Sequence, residues 1–262
     1  MDHLPIFLDA TRQELLRADT GQVIDRPGRL QVTQPDAPVV WRNMIHHAIL
    51  APEEADAEIE RVLAHYAALD VPFLWRVTPG CRPVDLGTRL EAHGFAHFET
   101  LACLVADPRD FAPLENPRVR IEDVTAANAE TYIETMGDAW GMPEAGRARF
   151  RMLLQRELVS EARVQHAFLA YLDGEPRGVA QMSYFPQSVH FSGSAVQSSA
   201  RGQGLYRAMV LHRMDVLRAQ GRDLVTMHAV SNTSAPICKR MGFEDVLAMD
   251  SWCYPPTEAT RG

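Results

Sequence analysis

The chain has 262 residues, of which 46% are hydrophobic, 23% charged and 8% aromatic. That is too apolar for a disordered chain and long enough for one large or two modest domains. Lys and Arg number 26 against 34 Asp and Glu, a formal charge of -8 with no basic run, so a nucleic-acid groove is not expected.

Met1 to Arg17 reads as an amphipathic segment interrupted by Asp2, Asp9, Arg12 and Glu14. It lacks the apolar core and cleavage site of a signal peptide. No stretch approaches the roughly 18 apolar residues of a membrane span, so a cytoplasmic protein is expected. Val39 to Leu50 is strand-like, Pro52 to Leu69 helical, Phe73 to Val77 a strand and Val84 to His93 a helix. Gly94-Phe95 closes that helix before a strand to Val105. The stretch 107–117 has three prolines and no periodicity, as linkers do. After it, Val119 to Ile121 reads as a short strand. Thr125 is placed to N-cap a helix through Met136, and Pro143 to Val159 is a second helix. Ala167 to Leu172 is a strand ending at the turn Asp173-Gly174, and Gly178 to Phe185 returns. Val189 to Val196 follows, then Arg201-Gly202-Gln203-Gly204 and a helix from Leu205 to Gln220, with Gly221 as its cap. Leu224 to Val230 is a buried-strand pattern. Ser231 to Ser234 opens a short helix through Met241, Gly242-Phe243 ends it, and a last strand or pair of strands runs towards Tyr254.

The same order, strand, turn, helix, strand, helix, Gly-Phe, occurs twice. Gly204 precedes Gly242 by 38 residues, and Asp56, in the matching turn, precedes Gly94 by 38. A diverged internal duplication is the expectation.

The four cysteines, Cys81, Cys103, Cys238 and Cys253, are not at metal-ligand spacing, so neither a zinc site nor a disulfide framework is expected. His46 and His47 are neighbours on a strand and point to opposite faces, so they do not share a metal.

The chemistry lies in Arg201-Gly202-Gln203-Gly204-Leu205, between a strand and a helix. Glycines there let the backbone turn tightly and expose successive N–H groups beside the positive end of a helix, a cradle for a pyrophosphate. Arg201 adds charge at its rim. A Gly-rich turn without a ligand is the plain alternative. There is no P-loop motif, and Arg207 stands where a dinucleotide fingerprint needs a small residue.

Together with Asn232-x-x-Ala235 and Gly242-Phe243, this loop resembles the GNAT superfamily of acyl-CoA N-acyltransferases over about Val119 to Tyr254. The resemblance implies a mixed α/β (α+β type) fold, mostly antiparallel and flanked by helices, and acetyl-CoA as co-substrate with no metal. It implies that backbone groups of Ala195, Val196 and Gln197 pair with the pantetheine arm, and that Arg201, Gly202, Gln203, Gly204 and Leu205 hold the phosphates. Tyr206 packs either against the cofactor or against the helix below. Asn232 bonds the same arm or N-caps its helix. Ser199 departs from the Gln or Arg that begins the family's loop. Where the family often has a proton-donating tyrosine, this chain has Cys238; Tyr254 and Tyr206 are alternative donors. For a base, His190 is the titratable member of a row, His190, Ser192 and Ser194, expected on one strand face. Trp140 and Tyr184 line an acceptor pocket or belong to the core.

In the first half the matching turn, Ala51 to Asp56, has no glycine and three acidic groups, unsuited to a pyrophosphate. The expected layout is therefore a degenerate GNAT-like domain over 1–106, a linker over 107–117 and an acetyl-CoA-binding domain over 118–262. The function expected is acetyl transfer to a primary amine by a monomer or homodimer with no nucleic-acid or membrane partner. The alternative is a non-catalytic acyl-CoA-binding regulatory module.

Overall fold

The computed structural model describes residues 2–17, 21–36, 40–113, 116–161 and 163–255. Val39, Leu114, Glu115 and residues 256–262 of the expected elements lie outside these. The chain divides into two compact units, one of residues 1–104, 229–236 and 245–262, the other of 105–228 and 237–244.

The first unit opens with α1 (Leu4–Arg17) and a hairpin of β1 (Gln22–Arg26) and β2 (Arg29–Thr33). The sequence reading missed this hairpin. Its turn is Pro27-Gly28, with Gly28 at φ +73, where a side chain would be strained. A 3-10 turn at Val40–Arg42 precedes β3 (Met44–Ala48), so the strand expected from Val39 begins late. Then come α2 (Ala55–Ala68), β4 (Phe73–Val77), α3 (Leu86–Ala92) and β5 (Ala96–Ala106). β3 runs parallel to β4. α2 buries Ile59, Val62 and Tyr66 at helical spacing, and Tyr66 stacks on Phe73 with ring centroids 4.2 Å apart. The Tyr66 hydroxyl donates to the Val32 carbonyl at 2.7 Å, which satisfies its one polar atom in the core.

The second unit has β6 (Val119–Asp123), α4 (Ala129–Trp140), α5 (Glu144–Val159), β7 (Gln165–Leu172), β8 (Glu175–Tyr184), β9 (Val189–Val196), α6 (Leu205–Ala219) and β10 (Val225–Val230). α4 starts four residues after the expected cap at Thr125. The Thr125 N–H donates to Asn128 Oδ1 at 2.8 Å and the Thr125 hydroxyl accepts from the Ala127 N–H, which makes a separate turn first. Asp173-Gly174 is the expected hairpin turn, both residues with positive φ. β6 to β9 are antiparallel neighbours and β9 runs parallel to β10.

The short helix α7 (Ser234–Met241) leads into a single last strand, β11 (Glu244–Tyr254). β11 pairs antiparallel with β4 from Asp250↔Val77 to Tyr254↔Phe73. The strand order is β1-β2-β3-β4-β11-β5 in the first unit and β10-β9-β8-β7-β6 in the second. The compact units thus differ from a division at the linker by placing 229–236 and 245–262 with the first. The order β3-α2-β4-α3-β5 recurs as β9-α6-β10-α7-β11, a mixed, largely antiparallel fold present twice.

Candidate functional site

β9 and β10 pair at Val189↔Val225, His190↔Thr226 and Phe191↔Met227, and the register ends there. β9 continues to Val196, so the two strands fork and leave the β9 edge without a ladder on that side. The Gln197 N–H donates to the Arg177 carbonyl at 2.9 Å, towards the β8 side. Alternation along a strand therefore turns the N–H and C=O of Val196 into the fork.

The free part of β9 holds a bulge. Val179 faces Ala195 and Gln181 faces Ser192, so Ala180 alone opposes Gly193 and Ser194. Gly193 has φ +57, and a Cβ there would come within 2.6 Å of Gln181 Oε1. The extra residue reverses the phase of the strand. Phe191 and Ser194 both contact Arg213 of α6, whereas Ser192 shares its face with Gln181, which donates to Tyr132 Oη of α4. The expected row of His190, Ser192 and Ser194 on one face is therefore corrected. His190 and Ser192 face α4, and Ser194 faces α6.

Beyond the fork, a 3-10 turn (Ser198–Ala200) leads into the loop. Gly202 has φ +74 with no atom within 4 Å of a Cβ position, and Gly204 has φ +82. Gly204 is the N-cap of the 15-residue α6, and no side chain caps it. Such a helix start leaves its first N–H groups without intrahelical acceptors. Arg201, Gly202, Gln203 and Gly204 are exposed, and Arg201 Nε donates to the Val196 carbonyl at 3.2 Å. Gln203 is steadied by Arg118 and by the Ser199 carbonyl. This backbone, open on its outer side and at the positive end of a helix, fits a pyrophosphate. Leu205 is buried beneath it. Gln197 differs from expectation, since its N–H and C=O are taken by Arg177 and Ala200.

The titratable groups fall on both sides of the fork. On one, His190 Nδ1 lies 3.0 Å from Thr226 Oγ1 and its ring centroid is 5.0 Å from that of His228. His228, two residues after Thr226 on β10, is not among the residues that the sequence singles out, because its strand reads as core. On the α6 side, Tyr206 Oη and Cys238 Sγ are 3.4 Å apart. Tyr206 thus packs on α7 rather than standing free. Burial pushes the Cys238 thiol up, against opposing effects of Tyr206 and Arg213, so it stays protonated near neutrality. Trp140 tilts against Phe150, and Tyr184 donates to Gln220 at 2.8 Å, so both pack locally. Asn232 is exposed in the turn before α7 and belongs to the first compact unit.

The first unit has its own fork. β3–β4 pairing ends at Ile45↔Trp75 while β3 runs on to Ala48. That edge is filled by the chain after β4. The Arg82 N–H donates to the Ala48 carbonyl at 3.1 Å, and the Leu50 N–H donates to the Arg82 carbonyl at 3.0 Å. Cys81 Sγ accepts from the Thr78 N–H at 3.3 Å and lies 3.6 Å from His47 Nδ1. Burial raises the Cys81 thiol, but hydrogen bonds from His47, Thr78 and the Ala48 backbone outweigh it and hold it below the usual thiol range. His46 faces away from His47, and burial with nearby Arg76 holds it well below the usual imidazole range. Among the described residues no cluster of three His, Cys, Asp or Glu could hold a metal. In the acidic turn, Asp56 is held by Arg89 at 2.5 Å and lies 3.2 Å from His93 Nε2.

Residues 128–243, from the first helix of the second unit to the end of α7, match the family model described as the acetyltransferase (GNAT) family. This segment is similar to GNAT acetyltransferases. Solved structures extend the likeness across the chain. A GCN5-related N-acetyltransferase from Kribbella flavida is 18% identical, covers 98% of this chain and 97% of its own, and has a TM-score of 0.74. A GCN5-related N-acetyltransferase from Sphaerobacter thermophilus is 16% identical over 94% of this chain and 84% of its own, at 0.65. A tandem GNAT protein from the clavulanic acid biosynthesis pathway is 16% identical over 90% and 83%, at 0.57. At these identities the likeness is one of fold, and in fold it takes in the N-terminal half as well. No curated protein matches the sequence. The GNAT fold supports acyl transfer from acetyl-CoA generally.

Proposed function

We propose that the protein is an N-acetyltransferase with one working site, in its second unit, that moves the acetyl group of acetyl-CoA to a primary amine. The observation that carries this reading is the continuity of the β9–β10 fork with the Gly202–Gly204 loop at the start of α6. The free β9 edge at Val196 suits an amide of a pantetheine arm, whereas Ala195, which faces Val179, turns its N–H and C=O towards β8 and differs from expectation. Arg201, Gly202, Gln203, Gly204 and Leu205 suit its pyrophosphate. Acetyl-CoA supplies an acetyl thioester.

In this reading the Val196 N–H, directed into the fork beside the bulge, donates to the carbonyl oxygen as it gains negative charge. An amine attacks only as its free base, and His190, with Thr226 and His228 beside it, takes the amine proton through water. Cys238, protonated and bonded to Tyr206, returns a proton on the α6 side. α6 fills that side, so the acceptor enters from the side of α4. The test is CoA release, followed with a thiol reagent, across simple amines, aminoglycosides, amino acids and peptide N-termini. Release with one class supports the enzyme. Tight acetyl-CoA binding without release from any of them favours an acyl-CoA-binding regulatory module.

A further inference from the structure

Arg213, on α6, is fully buried. Its Nη1 donates to the Gln181 carbonyl at 2.7 Å, its Nη2 to Ser194 Oγ at 2.9 Å and its Nε to the Met209 carbonyl at 3.1 Å. The guanidinium lies 4.0 Å from the Phe191 ring centroid. Two of these contacts bracket the β9 bulge: Gln181 sits on β8 where the register shifts, and Ser194 is the bulged residue itself. A bulge interrupts its ladder, and here the guanidinium fork ties the Gln181 carbonyl of β8 to the Ser194 hydroxyl of the bulged strand.

A neutral donor would satisfy the same groups at less cost. Burying a cation is expensive, and a well-packed apolar residue in its place is often no less stable. Among the described residues no carboxylate pairs with Arg213. The ionisable groups that act on it are Tyr206 and Cys238, and burial lowers its own ionisation to about 10. The positive charge thus lies near Tyr206 and Cys238, the titratable pair on the α6 side of the fork. We propose that Arg213 is a positioning residue for acyl transfer, which fixes the β9 bulge so that the Val196 N–H is aimed into the fork and favours negative charge developing there. This rests on the acetyltransferase reading above.

Arg213→Met keeps the volume and removes the charge; Arg213→Lys keeps the charge and removes the fork. Circular dichroism checks that each variant folds, with Arg213→Gln in place of Met if needed. The phosphate loop is untouched, so acetyl-CoA affinity should stay within about threefold of the parent. Turnover should fall about a hundredfold in Arg213→Met and recover about tenfold of that in Arg213→Lys. A fall of less than about threefold, or a lysine variant as slow as the methionine one, overturns the proposal. If the parent protein releases no CoA with any amine, the acetyltransferase reading fails separately. Amide exchange over residues 190–196 then decides whether the bulge is pinned: about tenfold faster exchange in Arg213→Met supports it, and equal exchange refutes it.

Discussion

Arg82 pairs with Ile49 in a single parallel bridge, its N–H on the Ala48 carbonyl at 3.1 Å and its own carbonyl accepting from the Leu50 N–H at 3.0 Å. An acyl-CoA entering the first fork would have to remove this peptide, and its phosphates would then meet Glu53, Glu54 and Asp56 without a glycine nest. Calorimetric titration with acetyl-CoA should saturate at one equivalent per chain. Two tight equivalents would show that Arg82 is displaced and that the first fork is a second site.

Gly204→Glu should abolish acetyl-CoA binding while the protein stays folded. The glycine has φ +82, and its Cβ position has only Asn116 Nδ2, at 4.0 Å, nearby, so the side chain is accommodated at about 1 kcal/mol of backbone strain. The carboxylate would then occupy the space offered to phosphate. Gly204→Asn, which tolerates this conformation and adds no charge, should retain most of the affinity. Unchanged affinity in the glutamate variant would mean that the loop is a plain turn.

Cys238→Ala should lower turnover by less than about tenfold, because water can also protonate a departing thiolate, whereas an essential general acid is worth about a hundredfold or more. The raised thiol agrees with this, since a reluctant acid is a modest donor. Steady-state CoA release measures it. A hundredfold loss with binding intact would make Cys238 the principal proton donor.

His46 makes stability depend on pH. Burial and Arg76 favour its neutral form in the folded protein, so the unfolded chain takes up the proton first as pH falls below about 6.5. Stability is lost downwards through that window, by up to about 1.4 kcal/mol per pH unit for one such group. Urea unfolding at about pH 7 and about pH 5.5 should show a smaller loss in His46→Leu than in the parent. Glu99, raised by burial near Arg76, is present in both proteins and largely cancels in the difference. Equal losses would exclude His46 as the cause.

The parts of the fold that follow from local chemistry were readable in the sequence. Gly202 and Gly204 announce their own left-handed turns, β4 and β9 have the limits their apolar runs mark, and Asp173-Gly174 makes its hairpin. The β1–β2 hairpin was less legible: Pro27-Gly28 marks its turn, but Val23 and Ile24 stand side by side in β1, so that strand lacks the alternation of a half-buried one. What depends on distant partners was not legible. The bulge at Gly193 moves Ser194 to the other face, and a glycine alone does not say which way a strand slips. Arg213 on a helix face reads as a surface residue until α6 is laid across β8 and β9. His228 gains its meaning only where β9 and β10 separate, and Arg82 only when its segment is seen to close the first fork.

The pairing of β11 with β4 sets the order in which the protein can be made. As the chain leaves the ribosome, β4 must wait for a strand some 170 residues later, from Asp250 to Tyr254. Until then the first unit has an unpaired edge of the kind that recruits other chains. A fragment of Val119 to Gly262 would have the opposite fault, carrying β11 without its mate, and a fragment of residues 1–106 would lack a strand of its sheet. A nick in the linker should therefore leave two pieces that still co-purify, and neither half is a natural unit for expression.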